Sequence, residues 1–245
     1  MTGLGTIVNV GAVLAGATIG FIIKGGLSRR FERTVMSAIG LATFFIGITG
    51  ALSGMLVIGS DGSVSSQHTM LMIISLVAGA FIGEWVDIEK RLDGFGEWCK
   101  RKFRFKGEGS STFVEGFVTS SLLFCVGAMA IVGSLEDGLN GNYTTLFAKS
   151  IMDGVAAVIF TASLGVGVYF SILPLIVYQG GITLLAGVIK PFLSDALISQ
   201  MSFIGSILIF AIGFNLVFGK KIKVGNLLPA IFIPVIWEII QRFIP

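Results

Sequence analysis

Eight stretches of mostly apolar residues, each about long enough as a helix to cross a hydrocarbon layer of roughly 30 Å, run through the sequence. They cover 3–23, 35–58, 69–85, 112–132, 146–170, 172–189, 200–218 and 227–243. So many such runs restrict the chain to one class of fold. Within a bilayer the backbone must satisfy its own polar groups, and uninterrupted runs of this length do so as helices. The expected architecture is an all-α, polytopic transmembrane helical bundle forming a single domain over 1–245. The composition leaves little room for a soluble alternative: 54% of the 245 residues are hydrophobic and 13% charged, with a mean hydropathy of +0.92. A globular core has no place for that much apolar surface, because its exterior must still be covered with polar groups. Glycine supplies 34 residues with no collagen-like period, which places glycines inside the apolar runs, where they allow close helix approach. The first run lacks a basic leader and is too long for the core of a signal peptide, so it is expected to be a retained span.

The basic residues orient these spans. Fourteen of the 17 lysines and arginines lie in the connections after runs one, three and seven. Lys149, Lys190 and Arg242 lie elsewhere, while Asp61, Glu136 and Asp137 follow runs two and four. Positive charge is retained on the cytoplasmic side, so both termini are expected outside and the loops at 24–34, 86–111 and 219–226 inside. Runs five and six are joined by almost nothing around Tyr169 to Pro174 and are expected to form a re-entrant pair, since merging them would break the charge pattern.

Between runs three and four, Trp85, Ile88, Leu92, Phe95 and Cys99 recur at helical spacing among charged residues. This predicts an amphipathic helix over 85–99 on the inner membrane surface, with Asp93 and Glu97 turned to water. The basic, aromatic-interleaved run 100–106 is expected to meet anionic lipid headgroups; beside a membrane helix this is favoured over nucleic acid. Ala15-Gly-Ala-Thr-Ile-Gly20 matches Ala78-Gly-Ala-Phe-Ile-Gly83 at five of six positions. A parallel internal repeat with units 1–62 and 69–138 would explain the match, as would chance recurrence of small residues.

Motifs of soluble enzymes are lacking. The stretch from Gly213 to Lys221 has the wrong spacing for a phosphate loop, and a single histidine, His68, precludes paired-histidine metal motifs. Cys99 and Cys125 give neither a disulfide framework nor a metal site. No enzyme activity, metal or cofactor is expected. What remains are polar groups at membrane depth, which are costly and hence candidates for function. Lys149 and Asp153 stand one turn apart, on a stripe continued by Ala157, Thr161 and Gly165 that could line a cavity. Alternatively, Lys149 snorkels and neutralises Asp153 in a structural pair. Asn9 suits either an interhelical hydrogen bond or a polar site. In Gln179-Gly180-Gly181 two adjacent glycines weaken a helix near midplane, where carriers break helices, although tight packing would also use them. Gly16, Gly20, Gly50, Gly54, Gly79 and Gly83 are expected as packing faces, within one chain or between the subunits of a homo-oligomer. Asn215, Glu115, Glu84 and the pair Glu238 and Arg242 lie near span ends and are expected to be structural.

Gly5-Thr-Ile-Val-Asn9, Gly16 to Gly20, Ser150-Ile-Met-Asp-Gly154, Tyr178-Gln-Gly180 and Thr183-Leu-Leu-Ala186 together resemble the YdfK/YqgA-like bacterial inner-membrane proteins, over essentially the whole length. The resemblance implies a bacterial cytoplasmic-membrane location, brings no catalytic residues and adds weight to Asn9, Asp153 and Gln179. The functional expectation is a transporter or channel for an ion or small polar solute, with Asn9, Lys149, Asp153, Thr161, Gln179, Gly180 and Gly181 along its path. The alternative is a non-transporting scaffold or regulator whose buried polar groups only fasten helices.

Overall fold

A computed structural model describes residues 2–24, 29–102, 112–125 and 128–243 of the protein. The helices are α1 (Leu4–Lys24), α2 (Arg29–Met55), α3 (Thr69–Val86), α4 (Ile88–Lys102), α5 (Phe113–Cys125), α6 (Ala128–Asn140) and α7 (Thr144–Leu164). They continue as α8 (Val166–Leu184) and α9 (Asp195–Phe218), then short turns Val224–Leu227 and Leu228–Phe232 that lead into α10 (Ile233–Phe243). Among the described residues, five helices are long and apolar enough to cross a membrane: most of α1, and α3, α7, α8 and α9. α5 and α6 pass the same test as a pair bent by 59°, and Gly40–Met55 and Val224–Glu238 are shorter apolar helices.

Three boundaries differ from the sequence reading. The second apolar run leaves the helix at Met55, and Leu56–Ile58 (β1) pairs antiparallel with Val64–Ser66 (β2), placing Leu56 opposite Ser66. Asp61 holds the connecting loop by accepting from the Ser63 amide at 3.0 Å and hydroxyl at 2.7 Å. The break between runs five and six falls at Gly165, not at 169–174, because Gly165 adopts φ +85°, a conformation that side chains disfavour. The amphipathic helix expected over 85–99 begins at Ile88, since Asp87 at φ 54° ends α3 and leaves Trp85 on that helix, 89% exposed.

Two compact units are formed. The first comprises Met1–Ile39, Lys90–Cys125 and Met129–Phe192. Its axis is the parallel pair α1 and α7, whose backbones meet through glycine. A Cβ on Gly16 would strike the Gly154 carbonyl, and one on Gly20 the Val158 carbonyl. Val13, Ala17, Ala157 and Thr161 are fully buried along this seam. α8 returns antiparallel to α1: the Tyr169 hydroxyl donates to Thr18 Oγ1 at 3.1 Å, and Asn9 meets Gln179 farther along. α5 is buried on most sides and starts beside the α7–α8 turn, where Thr112 Oγ1 donates to the Leu164 carbonyl at 2.7 Å. α6 passes the far ends of both neighbours, with Gly133 against Leu146 and Gly138 against the Thr183 carbonyl. α4 lies on α5 through Phe95 and Phe117, and Phe95 stacks on Trp98, over which Lys102 Nζ sits at 4.6 Å. Cys99 is fully buried, and burial pushes its thiol pKa up. Of the basic run 100–106, residues 103–106 lie outside the described residues, as do 25–28 of the first basic loop.

The second unit comprises Gly40–Glu89, Val126–Ala128 and Leu193–Pro245. Gly40–Met55 of α2 runs antiparallel to α9, with Gly40 on Val217, Gly47 on Phe210, Gly50 on Ser206 and Gly54 on Phe203. α3 packs antiparallel on the segment leading into α10, through Gly79 on Ala230 and Gly83 on the Asn226 carbonyl. All six expected packing glycines are thus at close contacts within the chain. The two matching hexapeptides use them differently, Gly16 and Gly20 against a parallel partner and Gly79 and Gly83 against an antiparallel one. Asn215 closes the turn after α9, donating to the Ile222 carbonyl at 2.7 Å and accepting from the Lys221 and Ile222 amides.

Candidate functional site

The polar groups expected at membrane depth converge in the first unit. Lys149 and Asp153, one turn apart on α7, form an ion pair in which both residues are less than a tenth exposed. Asn9 on α1 is fully buried and donates through Nδ2 to Asp153 Oδ2 at 2.9 Å and to Gln179 Oε1 on α8 at 3.2 Å. A carboxylate only accepts, so it fixes which end of the Asn9 amide faces it. That amide in turn fixes the sense of Gln179. The result is a relay from ammonium to carboxylate to two carboxamides, across three helices.

The backbone beneath Gln179 is irregular. α8 passes from a 3-10 turn (Val166–Ser171) through an α turn (Ile172–Leu175) into a π turn at Ile176–Gly180. Such turns recur at functional sites because they swing a side chain off the regular helical stripe. Gly180 and Gly181 have no atom within 4 Å of where a Cβ would stand, so neither serves close helix packing. Thr161 does not join the cluster. It lies two turns beyond Asp153, about 12 Å along the axis, and its Cβ abuts Gly20 in the α1–α7 seam. The stripe of Ala157 and Thr161 is therefore the wall on which α1 rests.

Several polar residues that matter escaped the sequence reading. Asp137, expected in the connection after run four, lies within α6, fully buried, and accepts from the Gly3 amide at 3.1 Å and the Gly5 amide at 3.0 Å. It caps α1 from another helix, where the free amides and helix dipole attract a carboxylate. Its neighbour Glu136 accepts from Thr145 Oγ1 at 2.7 Å. Thr6, Ser134 and Thr183 are buried, and their hydroxyls have no partner; Asn9 Oδ1 and Gln179 Nε2 are likewise unpartnered. In the second unit, buried Glu89 accepts from the Gly225 amide at 3.1 Å and pairs with Lys220 Nζ at 2.7 Å. Asn226 accepts from the Glu89 amide at 2.7 Å and donates to Glu84 Oε2 at 2.6 Å. Glu84 also binds Lys223 at 2.5 Å, which holds that ammonium above the usual lysine pKa. The signal for these contacts was available in Asn226, a polar residue directly after a basic loop and at the start of an apolar run.

No solved structure matches the chain. Among curated proteins it is similar to the uncharacterized membrane protein YdfK of Bacillus subtilis strain 168, 32% identical over 230 residues that cover 94% of this chain and 93% of that protein. It is also similar to the uncharacterized protein YqgA of Escherichia coli strain K12, 29% identical over 232 residues, 94% of each. The family described as a protein of unknown function, DUF554, matches residues 4–239. A family match over nearly the whole length, a membrane protein among the relatives and five membrane-length apolar helices lead to one statement: the chain is a membrane protein and belongs to the DUF554, or YdfK/YqgA-like, family.

Proposed function

We propose that the protein is a transporter or channel for an ion or small polar solute across the bacterial cytoplasmic membrane, with Asn9, Lys149, Asp153 and Gln179 at the centre of its path. The observation that carries the reading is the buried relay of one ion pair and two carboxamides, tied to a π turn. Fastening helices does not require it. Glycine contacts already join α1 to α7, and a buried ion pair is commonly no better for stability than apolar residues of the same volume. Gly180 and Gly181, open on their outer side, give α8 freedom to rearrange at that level. Eight crossings with outside termini fit the helices and the charge bias, counting the bent pair α5–α6 as one span and both shorter apolar helices as spans. Lys100, Arg101 and Lys102 at the end of α4 would then face anionic headgroups on the inner surface. A scaffold or regulator is the second reading, favoured by the mutual neutralisation of Lys149 and Asp153.

Flux in reconstituted vesicles at matched protein density separates the two. Asp153→Asn should fold and insert yet lose flux, because the carboxylate both neutralises Lys149 and orients Asn9, whereas Glu238→Gln should retain it. Unchanged flux in Asp153→Asn removes Asp153 from the path. A wild type silent across a broad panel of ions and solutes supports the scaffold.

A further inference from the structure

Buried polar atoms without partners are rare in folded proteins, because each gives up its hydrogen bonds to water and gains none in return. In the first unit Thr6 Oγ1, Asn9 Oδ1, Ser134 Oγ, Thr161 Oγ1, Ser163 Oγ, Gln179 Nε2 and Thr183 Oγ1 are in this state. Membrane helices usually satisfy hydroxyls by back-bonding to the preceding turn, as Ser120, Ser121 and Ser150 do in this chain. Thr161 and Ser163 lie at the C-terminal end of α7, but the other five atoms are placed together. α1 and α8 are antiparallel and touch at Asn9 and Gln179, so Thr6 and Thr183 each lie one turn farther along in the same direction. At that level Gly138 of α6 meets the Thr183 carbonyl and Asp137 caps α1, with Ser134 one turn back on α6. Three helices therefore present five unsatisfied groups over about two turns.

The charge and hydrogen-bonding sense of this site restrict its ligand. Lys149 and Asp153 already engage each other, and Asp137 is held by the amides of α1. A cation entering there would be repelled by the ammonium and an anion by two carboxylates, with no free counter-charge for either. The two unpartnered groups of fixed sense are one acceptor, Asn9 Oδ1, and one donor, Gln179 Nε2; the hydroxyls can adapt to either role. We infer that Thr6, Asn9, Ser134, Gln179 and Thr183 bind a small uncharged solute bearing a hydrogen-bond donor beside an acceptor, of the primary-amide class. The inference names the cargo class for the site proposed above and rests on that reading only for the step from binding to transport.

Acetamide is the probe, with N,N-dimethylacetamide as the analogue lacking a donor. Thermal unfolding and calorimetric titration use the full chain in detergent, in sodium, potassium or choline chloride. Acetamide should stabilise saturably and equally in all three salts, and loss of its donor should weaken binding about tenfold or more. Thr6→Val with Thr183→Val should raise the ligand-free melting temperature, because two unpartnered hydroxyls are removed without a change of shape, and should abolish the acetamide shift. Absence of saturable acetamide binding overturns the proposal. So does saturable stabilisation by sodium or potassium that Asn9→Leu removes, or an acetamide shift that survives the double valine substitution. Saturable binding without acetamide flux above that of protein-free vesicles leaves the site and defeats the transport reading. Flux of another cargo in a protein that does not bind acetamide does the reverse.

Discussion

Lys149 and Asp153 are a pair in which each residue makes the other tolerable, and that sets what single substitutions do. Lys149→Met strands a buried carboxylate and should destabilise by about 3–5 kcal/mol, whereas Lys149→Met with Asp153→Leu should fall close to wild type. Chemical denaturation of the purified variants measures both, and additive losses would show that the two residues do not act as a pair. The double variant should fold yet carry no solute, which separates the stability of the seam from the use of the site. Asp137 stands in a different position, because its partners are backbone amides that no substitution removes. Asp137→Asn keeps at most one good acceptor there and should cost about 1–2 kcal/mol, with faster amide exchange confined to the first turn of α1. Uniform exchange along α1 would contradict the cap. Asn9, Asp153 and Gln179 were legible in the sequence because a charged or carboxamide group inside an apolar run is conspicuous. Thr6, Ser134 and Thr183 were not, since hydroxyls are ordinary in membrane helices and only the absence of a back-bond distinguishes them. The position of Asp137 was not legible because α6 continues to Asn140, about two turns past the end of the apolar run at 132.

At the level of elements, glycines of two kinds do opposite things. Gly5, Gly16 and Gly20 of α1 are contacts: Gly20→Val should drive a side chain into the Val158 carbonyl and cost about 1–3 kcal/mol by overpacking. Gly180 and Gly181 have helical backbone angles and open space at the Cβ position. Gly180→Ala and Gly181→Ala should therefore stabilise α8 by about 0.4–1 kcal/mol each. If α8 bends during a transport cycle, the same variants should slow flux while raising the melting temperature. Stabilisation with unchanged flux would make the glycines incidental. The elements themselves were largely readable from apolar run length, because hydrocarbon forces helices wherever a run is long enough. Their ends were less readable. Leu56–Ile58 is as apolar as the helix before it, and what takes it into a strand is its pairing with Val64–Ser66, a contact that hydropathy does not encode. Gly165 was one glycine among many until its positive φ marked it as the turn.

For the whole molecule, the orientation of the chain has a direct check. Single cysteines at residues 63 and 100, in a background lacking Cys99 and Cys125, should react with impermeant reagents from opposite sides of the membrane, and labelling from one side would overturn the proposed topology. The interior contacts carry a further consequence for how the protein is made. Asn9 meets Asp153 at a separation of 144 residues, and Glu89 meets Asn226 at 137. A ribosome adding about 5–20 residues per second needs roughly 7–30 s to bridge such a gap. Throughout that interval α1 has crossed or entered the membrane with its carboxamide unanswered, and the α3–α4 corner waits with a carboxylate in the same condition. Neither unit can close until segments from the second half of the chain arrive, so each early helix depends on water, lipid headgroups or the insertion machinery to hold its polar face. Nascent chains arrested before α7 should leave Asn9 accessible to crosslinking by that machinery, and chains extended past α8 should not.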